Sequence, residues 1–217
     1  MAAPATRKRI GVLISGRGSN LAALLRNECG GDVVVVGSNK LDAKGLELAR
    51  DAGIDTFAVN HKQFPSREAF DQSLIDELTA RSVDVVVLAG FMRILTPVFT
   101  DHFAGCLINI HPSLLPSYPG LDTHARALAD GVKLHGCTVH LVTSVLDHGP
   151  IIAQAAVQVD DDDTAETLAA KVLVQEHQIL PYAVRLLCED RLQVDGLRVS
   201  IRSVGAGLGR AVSEAAG

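Results

Sequence analysis

The chain has 217 residues, of which 47% are hydrophobic and 21% are charged, and this composition suits a packed core and excludes a disordered chain. The length predicts one domain over residues 1–217, with mobile tails at about 1–8 and 204–217. The 25 acidic and 20 basic residues give a net charge of −5, which argues against nucleic acid as a partner.

The first part of the chain alternates between short apolar runs and segments that are typical of helices. The runs are rich in β-branched residues, as expected of strands buried on both faces of a parallel sheet. This alternation predicts an α/β fold with an open, mostly parallel, twisted sheet flanked by helices, a Rossmann-like arrangement. The strands are predicted at 9–14, 32–36 and 84–88, and the helices at about 19–28, 42–52 and 66–80.

The pattern changes after a further apolar run at 106–109. Three prolines within residues 111–124 predict a rigid loop. Two strand-like stretches follow, at about 134–143 and 150–158. We expect them to form an antiparallel addition to the sheet in the C-terminal half.

A long helix follows the second of these strands and is predicted to continue to about residue 189. Asp163 is predicted to be its N-cap, with Glu166 completing a capping box, and Pro181 is expected to disturb it. The four aspartates at 160–163 are then better interpreted as a solvated turn than as a metal site.

The cysteine spacing and the distribution of apolar residues limit the class of protein further. No C-x-x-C pair or cluster of metal ligands is present in the sequence, so neither a disulfide framework nor a metal ion is expected. The sequence has no N-terminal signal stretch and no apolar run near the roughly 18 residues of a membrane span. We therefore expect a cytoplasmic protein without a membrane partner, whose thiols are reduced: Cys29, Cys106, Cys137 and Cys188.

A glycine turn, GRGSN at 16–20, lies between the first predicted strand and the first helix. Free backbone N–H groups and the positive end of the helix dipole make such a turn a phosphate site. Leu21 stands where a dinucleotide fingerprint needs its third glycine, so a mononucleotide-like phosphate fits better than NAD. A purely structural turn remains the alternative.

Asn109 and His111 lie two residues apart at the end of a predicted strand, where open α/β sheets bind ligands. An amide and an imidazole on one side could stabilise a carbonyl that becomes a tetrahedral oxyanion. Alternatively, His111 satisfies a backbone carbonyl beside the proline-rich loop. Asp147 could orient the imidazole and relay a proton, but the spacing does not place it near His111, and a turn aspartate is the alternative.

Four segments occur together in a recognisable order: ISGRGSN at 14–20, AGFMRIL at 89–95, NIHPSLLPSYPG at 109–120 and LDHGP at 146–150. With them the chain resembles the phosphoribosylglycinamide formyltransferases, a folate-dependent family, over about residues 9–193. The resemblance implies transfer of a formyl group from 10-formyltetrahydrofolate, as co-substrate, to the amine of 5′-phosphoribosylglycinamide in de novo purine biosynthesis. The products are formylglycinamide ribonucleotide and tetrahydrofolate, and the expected assembly is a monomer or a homodimer.

The resemblance also implies roles for individual residues. The catalytic residues would be Asn109, His111 and Asp147, with Asp147 keeping His111 cationic. The 5′-phosphate would bind at Gly18, Ser19 and Asn20, and Glu176 would be the substrate-binding carboxylate. The folate would contact Arg67, Met92, Arg93, Ile94, Leu95, Asn109, Thr143, Ser144, Val145, Leu146 and Asp147.

Three other functions compete with this one. A 10-formyltetrahydrofolate hydrolase uses a similar trio, but such relatives carry an N-terminal regulatory domain, and only about eight residues precede the first strand here. Methionyl-tRNA formylation would need a C-terminal domain and a basic surface, against a net charge of −5. A nucleotide-binding or NAD-dependent protein is disfavoured by the missing third glycine.

Overall fold

A computed structural model describes residues 7–203, so the predicted tails at 1–6 and 204–217 lie outside the described residues. Arg7 and Lys8, which the sequence assigned to the first tail, belong to the fold. Lys8 is the first residue of a strand, and the Arg7 guanidinium pairs with the carboxylates of Glu28 and Asp32, each at 2.8 Å.

The central feature is a seven-stranded sheet in the order β3-β2-β1-β4-β5-β6-β7. The first five strands pair in parallel, and β6 and β7 are added antiparallel at one edge, which confirms the predicted fold class. The strands are β1 Lys8–Ile14, β2 Gly31–Ser38, β3 Asp55–Ala58, β4 Val85–Leu88, β5 Leu107–His111, β6 Leu134–Leu141 and β7 Ile151–Gln158, with a separate antiparallel hairpin of β8 Leu192–Asp195 and β9 Arg198–Ile201.

Helices cover both faces of the sheet. Alternate residues of a strand point to opposite faces, and apolar residues on both faces must be buried. On β1, Val12 packs into the core cluster under α1 and α6, whereas Leu13 packs into the cluster under α3 and α4. None of the helices within residues 7–203 is long and apolar enough to cross a membrane. The helices are α1 Ser19–Arg26, α2 Lys44–Asp51, α3 Arg67–Thr79, α4 Pro97–His102, α5 Thr123–Ala129 and α6 Ala165–Cys188, besides a 3₁₀ turn at His61–Gln63.

The start of α6 differs from the prediction. Thr164, not Asp163, is the N-cap, and Thr167, not Glu166, completes the capping box. Asp163 is already engaged, because its carboxylate accepts hydrogen bonds from Lys171, the Thr167 hydroxyl and a backbone N–H in the preceding turn. These hydrogen bonds, Lys171 first, lower the pKa of Asp163 to about 2. Pro181 lies inside α6 without ending it.

Candidate active site

Several predicted site residues lie at or just after the carboxyl ends of neighbouring parallel strands, whereas Arg67 is on α3 and Glu176 is on α6. The glycine turn follows β1, residues 89–96 connect β4 to α4, and Asn109 and His111 are on β5. The first two loops are joined directly, since the Met92 backbone N–H donates to the Ser15 hydroxyl at 2.7 Å. This is the edge of an open α/β sheet where ligands bind.

The His111 imidazole has a hydrogen bond at one nitrogen and faces a carboxylate at the other. Nε2 lies 2.9 Å from the backbone oxygen of Tyr118, and because a carbonyl oxygen only accepts, Nε2 carries a hydrogen. Nδ1 lies 3.5 Å from Oδ2 of Asp147, and both side chains are less than a tenth exposed. His111 therefore satisfies a backbone carbonyl, as the alternative interpretation had it, and faces a carboxylate as well.

Asp147 reaches His111 because of the conformation of its own loop. Its φ is +50°, in the left-handed region that aspartate tolerates better than most residues. Its Oδ2 accepts a hydrogen bond from the Gly120 N–H at 2.8 Å. The loop that binds His111 through Tyr118 thus also orients Asp147, and the trio is brought together although its members are far apart in sequence.

His140 is a residue of this site that the sequence analysis did not single out. It lies opposite Asn109 in the antiparallel pairing of β5 and β6. Its Nδ1 donates to the Leu141 carbonyl at 2.9 Å, so neutral Nε2 can accept from the Asn109 amide at 3.2 Å. Burial lowers the pKa of His140, which keeps it neutral as this contact requires. Only the strand register reveals the pair.

A cleft of about 510 Å³ opens beside the trio, part of it exposed to solvent. Two of the predicted folate contacts, Met92 and Val145, are largely exposed and do not line this cleft. Arg67 also lies outside the lining of the cleft, and its guanidinium donates to the carbonyl of Ile94, a lining residue, at 2.6 Å. The predicted residues that line the cleft are Arg93, Ile94, Leu95, Asn109, Thr143, Ser144, Leu146 and Asp147, together with His140 and four others.

The glycine turn leads into α1 with a backbone conformation and a close approach that require glycine at position 18. Gly18 is the N-cap and has a φ of +78°. A Cβ on Gly18 would lie 2.8 Å from the Cα of Gly45, whose N–H donates to the Gly16 carbonyl. Only glycine fits this position, and no side chain caps the first N–H groups of α1, as the phosphate interpretation requires. Arg17 is exposed beside them.

Asn20 and Glu176 form a buried polar pair next to this turn. The Asn20 amide donates to Oε2 of Glu176 at 2.7 Å, and both side chains are less than a tenth exposed. Burial raises the pKa of the Glu176 carboxyl, opposed by the hydrogen bond from Asn20 and by the charge of His111. The carboxylate on α6 is thus joined to the start of α1 beside the glycine turn.

Comparison with known proteins identifies the family of this chain. The sequence model of the family described as formyl transferase matches residues 8–184. The chain belongs to the formyl transferase family. It is 52% identical over 187 residues to a phosphoribosylglycinamide formyltransferase of Escherichia coli (strain K12), covering 84% of this chain and 88% of that one.

Two further members show the same likeness. A crystal structure of glycinamide ribonucleotide transformylase 1 from Symbiobacterium toebii superposes with a TM-score of 0.90 at 48% identity, covering 94% of this chain and 98% of that one. The human trifunctional purine biosynthetic protein adenosine-3 is 44% identical over 192 residues, which are 87% of this chain and 19% of that protein.

A second histidine pair in this formyl transferase predicts how its stability depends on pH. His135 Nε2 and His124 Nδ1 are 3.2 Å apart, and burial, with the charge of His124, lowers the pKa of His135 to about 4. Between pH 6.5 and 4 the unfolded chain therefore binds a proton that the folded chain does not. We expect the thermal midpoint to fall across this window, and to fall less in His135→Gln.

Thermal unfolding at pH 7 and pH 5 tests this prediction. His102→Gln, which changes an exposed histidine on α4, should lose as much stability as the unmodified protein. Parallel losses in His135→Gln and the unmodified protein would show that His135 does not carry the effect.

Proposed function

We propose that this formyl transferase passes the formyl group of 10-formyltetrahydrofolate to the amine of 5′-phosphoribosylglycinamide, giving formylglycinamide ribonucleotide and tetrahydrofolate in de novo purine biosynthesis. The names of its relatives support formyl transfer to this ribonucleotide. The observation that carries the proposal is the place of the trio. Asn109 and Asp147 line the cleft, and the Asp147 carboxylate faces Nδ1 of His111 at 3.5 Å.

The reaction begins when the lone pair of the neutral amine attacks the formyl carbon, and the carbonyl electrons move to oxygen. The Asn109 amide has one N–H bonded to His140, so its second N–H can donate to that oxygen. Nε2 of His111 is bonded to Tyr118, so Nδ1 of the protonated ring is the nitrogen that can donate. Two such donors stabilise the oxyanion where its charge develops.

The tetrahedral intermediate collapses when the bond from the formyl carbon to N10 of the folate breaks and its electron pair moves to N10. One proton leaves the former amine, and one proton is added to N10. The Asp147 carboxylate attracts the positive charge of His111. It can also pass the proton of the former amine towards N10 through a water molecule, because Oδ2 accepts from the Gly120 N–H and Oδ1 remains available. No net proton is gained or lost.

The ribonucleotide would bind on the other side of the trio. Its 5′-phosphate fits the start of α1 at Gly18, Ser19 and Asn20, where backbone N–H groups are free to donate. The Glu176 carboxylate accepts hydrogen bonds and suits the hydroxyl groups of a ribose. We propose that both substrates are small molecules, handled in the cytoplasm by a monomer or a homodimer.

Gly18→Ala is expected to raise the KM for the ribonucleotide about tenfold, because the strain of a left-handed alanine, about 1–2 kcal/mol, adds to a clash with backbone. The added Cβ would lie 2.8 Å from the Gly45 Cα, so the turn must move. Steady-state kinetics with each substrate varied would measure the effect. Gly53→Ala is the matched control, since Gly53 has a φ of +73° but open space around it. Equal KM values in the two variants would contradict the phosphate assignment.

The proposed function is tested by following 10-formyltetrahydrofolate spectroscopically with and without the ribonucleotide. Loss of the formyl group only when the ribonucleotide is present would support the transferase. Formate release without an acceptor would indicate the hydrolase instead, which no observation on this chain favours. The absence of both reactions would remove the assignment.

A further inference from the structure

The cleft wall formed by residues 93–95 belongs to the loop between β4 and α4, and this loop is tied to α3 from behind. Arg67 and Asp71 lie one helical turn apart on α3, so their side chains project from the same face. Arg67 donates to the Ile94 carbonyl. The Asp71 carboxylate accepts two hydrogen bonds at Thr96, which follows the wall directly.

The contacts of Asp71 are short and buried. Its Oδ2 lies 2.6 Å from the backbone nitrogen of Thr96 and 2.7 Å from the Thr96 hydroxyl. Asp71 is 1% exposed and Thr96 is 4% exposed. Thr96 is also the N-cap of α4, with Pro97 next in the chain, so one carboxylate fixes both the end of the wall and the start of a helix.

A buried carboxylate at this position is costly to the fold unless it is fully hydrogen-bonded. The neighbours of Asp71 on α3, Phe70, Leu74 and Ile75, are apolar and buried, and the hydrogen bonds that its carboxylate accepts come from Thr96. Burial raises the pKa of Asp71, and the two bonds from Thr96 oppose that change. Burying the Asp71 carboxylate therefore costs folding free energy, and its two hydrogen bonds with Thr96 offset that cost.

We propose that Asp71 is a positioning residue for folate binding, which holds Leu95 and Thr96 so that the backbone of the cleft wall keeps the shape that receives the flat ring. This inference rests on the proposed function, because it takes the cleft to be the folate site. Asp71 is not a catalytic residue, since it does not line the cleft and would act on the folate only through the loop that it holds.

The test compares three variants in both KM values and in tetrahydrofolate binding by calorimetry. Asp71→Ala leaves the Thr96 N–H and hydroxyl buried without their acceptor, and should raise the folate KM about tenfold with the ribonucleotide KM within about twofold. Asp71→Asn keeps an oxygen that can accept both bonds and should restore most of the affinity. Asp76→Ala, at an exposed position of the same helix, should change neither KM.

Hydrogen exchange at the Thr96 amide gives a readout that does not depend on turnover, and it should become faster in Asp71→Ala but not in Asp76→Ala. If Asp71→Ala does not fold, Thr96→Val decides, because it removes the hydroxyl bond alone and should raise only the folate KM. An unchanged folate KM, or an equal rise in both KM values, would overturn the inference. Tetrahydrofolate that does not bind the unmodified protein would overturn the proposed function, and this inference with it.

Discussion

His111→Ala is expected to lower kcat about a hundred- to thousandfold, the usual cost of losing one donor to a developing oxyanion. In the proposed mechanism Nδ1 is the nitrogen of His111 that donates to the formyl oxygen, because Nε2 is bonded to the Tyr118 carbonyl. The ribonucleotide should still bind, since its proposed ligands at the glycine turn and at the Asn20–Glu176 pair lie on other elements, at the start of α1 and on α6. Single-turnover kinetics, which separate chemistry from binding and product release, would measure the loss.

His102→Ala is the matched control for this variant, because it removes an exposed histidine on α4, outside the site. Its kcat should equal that of the unmodified protein. If His111→Ala keeps a kcat within about threefold of normal, the ring makes no bond that strengthens in the transition state, and its assignment would be wrong.

Asp147→Asn is expected to lower kcat about a hundredfold or more, in the range of lost general acid–base catalysis. The substitution is nearly isosteric: the amide oxygen can still accept from the Gly120 N–H, and asparagine tolerates the φ of +50°. What disappears is the negative charge 3.5 Å from Nδ1 of His111 and the group that carries the proton. The pH dependence of kcat should therefore change together with its size.

The control for this variant is Asp162→Asn, which removes one negative charge from an exposed turn. A similar loss in both variants would mean that net charge, rather than the position of Asp147, is responsible. A normal kcat and an unchanged pH profile in Asp147→Asn would exclude the carboxylate from proton transfer.

Three of the strands that the sequence predicted, β1, β2 and β4, are largely buried on both faces. Their continuous apolar runs at β1, β2 and β4 can be recognised without knowledge of their neighbours. The strand β3 was missed because Asp55–Ala58 is short, partly polar and at the sheet edge, and the hairpin of β8 and β9 was missed because it is mostly exposed. Continuous apolar runs therefore identify most clearly the strands whose two faces are both buried.

The start of α6 illustrates a different limit. Both Asp163 and Thr164 are good N-caps, so local preference alone could not choose between them. Lys171, two turns along the helix, engages the carboxylate of Asp163 and leaves Thr164 as the cap. A contact between side chains that are separated in sequence decided a local feature.

The sequence by itself determined the fold class, the glycine turn between the first strand and the first helix, and the position of Asn109 and His111 at a strand end, because these depend on local patterns and on motif order. The tertiary structure alone decided which groups meet: Asp147 at His111, His140 at Asn109 and Asp71 behind the cleft wall. The physical reason is that strand register and loop conformation set distances between residues far apart in the chain, and no local preference encodes those distances.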